Sequence, residues 1–162
     1  MKRLTIRVAA CTETLSLMIA LAWADGRLDD REKAGVKGAA EVLNLPKELR
    51  SRLDSALEKA PAIADLGLED LTARERAFAF VAVAWMAGVD AVIDPKERVM
   101  MDNIAARLGI TGERREKLTE ISKKLEPVPD GGTGWADQVM TLFKAIPPEL
   151  EETIDEFEVA FE

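Results

Sequence analysis

The sequence contains no histidine, and its only cysteine is Cys11. The missing histidine rules out every histidine-dependent catalytic triad. The two shortages together rule out a zinc site of His or Cys ligands and a disulfide within the chain. No zinc, haem or nucleotide cofactor is expected. One cysteine suits a reducing compartment, so the expected location is cytoplasmic. Positive charge is also scarce: 22 Lys and Arg stand against 30 Asp and Glu, a net charge of −8. Neutralising phosphate needs a basic face, so nucleic acid is not an expected partner and an anionic membrane is not the main one. Peripheral membrane association stays open.

Long apolar runs are lacking too. The two best, Leu15 to Ala22 and Phe78 to Trp85, fall well short of the roughly 20 residues a bilayer-spanning helix needs. Lys2, Arg3 and Arg7 ahead of the first run imitate an export signal. The run recurs in mid-chain, however, where no such signal sits, and both copies read as buried helices.

What is present is ample core material. In 162 residues, 48% are hydrophobic, enough for one globular domain. Self-similarity organises it. Ala20-Leu21-Ala22-Trp23 resembles Ala82-Val83-Ala84-Trp85, and Leu43-Asn44-Leu45 resembles Leu108-Gly109-Ile110. Asn44 and Gly109 are residues that readily adopt the left-handed conformation closing a helix, with Leu45 or Ile110 supplying the apolar contact after it. Pro46 then opens a further helix, and Thr111 can cap its counterpart.

The periodicity predicts helices over about 4–24, 30–43 and 46–59, then 72–88, 95–108 and 112–125. These make two tandem three-helix units, about 4–60 and 72–125. The segment from Pro127 to Gly134 is a loop by composition. Two C-terminal helices follow over about 135–162, the first to about Ala145. Pro147 and Pro148 restart the chain, and Leu150, Ile154, Phe157 and Phe161 stripe the last helix. Glu149 to Glu162 holds seven acids and no base. No segment shows sustained two-residue alternation, so the expected fold class is all-α, without a sheet.

The chemistry-bearing pattern is Asp-x-x-x-Asp-x-x-Glu, which occurs as Asp25, Asp29, Glu32 and again as Asp90, Asp94, Glu97. It sits where one helix gives way to the next. Asp29 and Asp94 suit helix N-caps, with Glu32 and Glu97 at the third helical position. Asp25 and Asp90 lie instead at the C-terminal ends of apolar helices, where the dipole disfavours an anion. Three carboxylates with a loop carbonyl and waters would complete the oxygen shell of Ca²⁺ or Mg²⁺. Arg27, Arg31, Lys33, Lys96 and Arg98 offer an alternative neutralisation, and both readings stand at this point. Trp23 and Trp85, at equivalent positions, read as core, and Cys11 reads as a buried small hydrophobe.

The strings from Ala22 to Glu32 and Val42 to Leu45, repeated from Ala84 to Ile110, resemble the TerB family of tellurite-resistance proteins and related TerB-like domains. That resemblance implies a helical fold of two halves with acidic positions at their corners, proposed to bind divalent cations. By it Asp25, Asp29, Glu32, Asp90, Asp94 and Glu97 become candidate metal ligands. The second copy departs from the pattern, carrying Ala91 where Gly is usual. The expected function is a non-enzymatic, cation-binding module of a stress-response or envelope-associated assembly. The alternative is a protein-interaction adaptor whose acidic corners are only helix caps. A protein partner is expected under both, and nothing indicates a nucleophile or substrate pocket.

Overall fold

In the computed structural model the described residues are 2–24, 30–87, 95–125, 135–151 and 157–162. A strand β1 (Lys2–Ile6) precedes α1 (Val8–Trp23), α2 (Asp30–Val42) and α3 (Lys47–Glu58). Two short 3-10 turns, Ile63–Asp65 and Leu68–Asp70, lead to α4 (Ala73–Ala87), α5 (Pro95–Leu108) and α6 (Gly112–Lys124). Then come α7 (Trp135–Leu150) and β2 (Phe157–Phe161). The fold is mostly all-α, as expected.

The two apolar runs form the centre. Every residue of α1 from Ala10 to Leu21 is buried, as is every residue of α4 from Ala77 to Trp85. A helix apolar on all sides has to be surrounded, and these two pack on each other while α3, α5, α6 and α7 close around them. The link between α3 and α4 sets their relative direction. Leu66 lines a groove with Ser16, Gly67 lies beside Glu13, and the Asp70 carbonyl accepts from Arg7. The link therefore runs back along α1 from its middle to its start. It delivers the start of α4 beside the start of α1, and the two central helices point the same way.

α2 and α5 end as expected. Asn44 (φ 53°) and Gly109 (φ 70°) take the left-handed conformation. Leu45 N–H donates to the Ala40 carbonyl at 3.2 Å and Ile110 N–H to that of Ala105 at 2.9 Å. These are the long bonds of a Schellman motif, and the shorter ones from Asn44 to Glu41 and Gly109 to Ala106 accompany them. Leu45 and Ile110 are buried. Thr111 does occupy the N-cap of α6, but its side chain makes no capping bond. Pro46 is the N-cap of α3 rather than its first helical residue. Trp85 is buried, and Trp23 is half-buried with Nε1 donating to the Ala56 carbonyl at 3.0 Å.

The absence of a sheet is corrected. Residues 2–6 do not begin α1, and residues 157–161 do not continue a last helix. They pair as a parallel two-stranded sheet, Lys2 opposite Phe157 through Ile6 opposite Phe161. Leu4 and Ile6 are buried while Thr5 between them is exposed, the period of a strand. Phe161 packs against Phe143 with ring centroids 6.4 Å apart. The Glu162 carbonyl accepts from Val8 N–H at 2.8 Å, occupying a donor that the first turn of α1 leaves over, since Arg7 supplies no side-chain cap. The proline break is corrected too: α7 runs through Pro147 and Pro148. Each lacks an N–H, so neither can donate to the turn before it. Val139, Leu142, Phe143 and Ile146 on the same helix are fully buried, and that burial outweighs the lost bonds.

Two measurements check this packing. Phe78 is fully buried and meets Phe143 edge-on with centroids 5.0 Å apart, so Phe78→Ala should cost about 3–5 kcal/mol in urea unfolding. Gly109→Ala should cost about 1–2 kcal/mol through the left-handed backbone alone, because the nearest side-chain atom to the new Cβ is 3.8 Å away. Asn44→Gly should leave the urea midpoint unchanged or raise it.

Candidate functional site

The acidic pattern falls on helix junctions. α1 ends at Trp23 and α2 opens at Asp30, while α4 ends at Ala87 and α5 opens at Pro95. Glu32 and Glu97 thus take the third position of their helices, as expected for a capping box. Glu97 is half-buried there. Asp25, Asp29, Asp90 and Asp94 lie outside the described residues, as does the side chain of Glu32. Among the described residues no three His, Cys, Asp or Glu side chains gather in an arrangement able to hold a metal ion.

The carboxylates inside the described fold are two others, Glu13 and Glu75. Glu75 opens α4 in a reciprocal capping box. Its Oε1 accepts from Thr72 N–H at 2.9 Å, and its own N–H donates to Thr72 Oγ1 at 3.2 Å. Arg7 forks onto the same carboxylate, Nε to Oε2 at 2.8 Å and Nη2 to Oε1 at 2.6 Å. Its Nη2 also donates to the Asp70 carbonyl at 3.0 Å. One guanidinium therefore ties the start of α1 to the start of α4 and to the link before it. The hydrogen bonds from Arg7 hold the Glu75 carboxyl below the usual glutamate range against the opposing effect of burial, and Glu75 raises Arg7 in return.

Glu13 lies in the middle of α1, where the sequence shows only an acid in an apolar stretch. Its Oε1 pairs with Arg52 Nη2 of α3 at 2.6 Å. Its Oε2 is shielded from solvent and has no hydrogen-bond partner among the described residues. The buried hydroxyls nearby are satisfied within the helix: Thr12, Thr14 and Ser16 donate to the carbonyls of Val8, Ala10 and Thr12. Cys11 is fully buried, and burial pushes its thiol far above the ordinary range, leaving it unreactive.

Sequence reasoning missed both ion pairs. The Thr72-x-x-Glu75 box was visible as a motif, whereas the Glu13–Arg52 pair has no local signal. Chemically, the Arg7–Glu75 fork is a clamp with every strong acceptor engaged. Glu13 retains one acceptor oxygen.

The clamp should titrate. Because the folded Glu75 sits below the ordinary value of 4.5, its contribution to stability is complete above that pH and is lost as pH falls through the folded value. Urea midpoints measured from pH 6 down to 3 should fall less steeply for Glu75→Gln than for the unaltered chain. Parallel curves would refute the assignment.

A family model described as "Protein of unknown function (DUF533)" matches residues 8–121. Comparison with curated proteins and with solved structures gives no significant match. The matched stretch runs from the first residue of α1 into α6 and includes both central helices and both acidic junctions. On this match the chain belongs to the DUF533 family.

Proposed function

We propose that this DUF533 chain is a non-enzymatic, TerB-like helical module that binds a divalent cation, Ca²⁺ or Mg²⁺, through its acidic helix junctions. It works in the cytoplasm with a protein partner, in a stress-response or envelope-associated assembly. One observation carries the reading: both copies of the Asp-x-x-x-Asp-x-x-Glu pattern follow a central helix, and the two central helices point the same way. The helix after each pattern also closes on the same left-handed cap.

Asp25 and Asp90 bind the ion directly, and Asp29, Glu32, Asp94 and Glu97 complete the oxygen shell. A hard cation offsets the repulsion among three carboxylates and the unfavourable dipole at a helix C-terminus. Such a ligand raises stability by about 2.7 kcal/mol when its free concentration is a hundred times the dissociation constant. The melting temperature should therefore rise in millimolar Ca²⁺ or Mg²⁺, fall back with chelator, and stop responding in Asp25→Asn with Asp90→Asn. An unchanged melt in both ions leaves the corners as caps only.

The competing adaptor reading takes the acidic last segment, residues 149–162, or a groove between the halves, as the contact surface. Two contacts of that segment favour a place in the fold over a detachable tail. Glu151 pairs with Arg74 of α4 at 2.5 Å, and β2 pairs with β1. Deleting residues 149–162 should lower the melting temperature of the whole chain. Loss of a partner with the fold unaltered would favour the adaptor.

A further inference from the structure

In a parallel pair of strands, alternate residues of each strand turn their backbone groups away from the partner. The Ile6 carbonyl accepts from Glu162 N–H at 3.0 Å, and Val8 N–H donates to the Glu162 carbonyl at 2.8 Å. Continued back along the register of Lys2 opposite Phe157, this parity assigns the ladder bonds to the even-numbered residues of both strands. Arg3 and Thr5 of β1, and Val159 and Phe161 of β2, therefore direct N–H and C=O groups outward. Among the described residues no hydrogen bond from outside the sheet reaches the backbone of Thr5 or Val159, and Thr5 is exposed. Parallel sheets are ordinarily wider and covered on their faces, and a pair of strands with two open edges is a template for a further strand.

The two edges belong to segments of opposite charge. Residues 1–12 hold three bases and no acid, in a chain whose net charge is −8. Arg7 is committed to Glu75, which leaves Lys2 and Arg3 as the charge of β1 itself. Residues 149–162 hold seven acids and no base. When two copies meet, β1 against β1 and β2 against β2 both bring like charges together, and only β1 against β2 brings opposite ones. That combination of strands already forms one parallel ladder inside each copy, so the two sequences suit each other as neighbours.

We propose that the outer edge of β1 takes the outer edge of β2 from a second copy of this chain, a head-to-tail contact that extends the sheet from copy to copy. Each copy offers one edge of each kind, so the contact is heterologous and assembly continues beyond a pair. An edge of five residues makes a small interface, and association tracks protein concentration. The contact uses none of the junction residues and stands whether or not they bind a metal.

The test is sedimentation of the full chain from micromolar to millimolar concentration, with one proline variant for each edge. Thr5→Pro removes an outward N–H of β1, and Val159→Pro removes one of β2. Proline is tolerated at such positions because the inner ladder keeps its donors. The unaltered chain should grow in mass with concentration, beyond a dimer, and the growth should weaken as salt is raised. Each variant alone should stay monomeric with the melting temperature close to that of the unaltered chain. Mixed together, the two variants should form a dimer and stop there, since only one intact β1 edge and one intact β2 edge remain per pair. An unaltered chain that is monomeric throughout overturns the proposal. So does association that ignores salt, association that persists in Thr5→Pro alone (the mark of a β2 exchanged into the inner ladder), or a mixture that stays monomeric. Should either proline unfold the chain, the concentration and salt dependence of the unaltered protein decide the matter.

Discussion

A helix enclosed on every side gives its polar groups no access to solvent, and this constraint shapes the rest of the fold. α1 meets it in its most demanding form, because Thr12, Glu13, Thr14 and Ser16 are interleaved with apolar residues and are all buried. The three hydroxyls turn inward to their own helix. A carboxylate cannot do that, having no proton to donate, so Glu13 takes Arg52 from a neighbouring helix. Glu75 solves the same problem with Arg7 and the capping residue Thr72. Internal charge thus fixes how α1, α3 and α4 sit against one another, while apolar contact supplies the bulk of the stabilisation.

Much of this was legible in the residues. The apolar runs announced two buried helices, and Asn44 and Gly109 announced the matching ends of α2 and α5. Each of these signals is local: a run, or one residue with a known backbone preference. The strands were not legible, for an equally physical reason. Phe157 and Phe161 are four apart and continue the spacing of Leu150 and Ile154, so a helix explains them as well as a strand does. What decides the matter is β1, which lies far away in sequence. Pro147 and Pro148 misled in the opposite sense, since the local rule against proline in a helix gave way to the buried face of α7.

The candidate sites divide along the same line. The acidic pattern at the junctions is a motif, readable by eye from Asp25 to Glu97. The buried surroundings of Glu13 depend on the path of the link from α3 to α4, which brings Gly67 and Asp70 over α1. No spacing rule encodes such a path. The family match covers the central helices and the junctions but stops short of α7 and β2. Yet α7 packs on both α2 and α4, so the region beyond the match still covers part of the core.

The pairing of β1 with β2 joins residues about 155 positions apart. Contacts of such separation are the slowest to form, because all the helices between the two strands must be gathered before they are made. On the ribosome, β1 therefore waits with an open edge while the helices emerge and dock. The first turn of α1 likewise stays without its acceptor until Glu162 arrives. Synthesis would thus pass through a largely formed helical body whose first strand is its last to settle, and during that interval a chaperone, or a strand from a neighbouring nascent chain, would find a template to occupy.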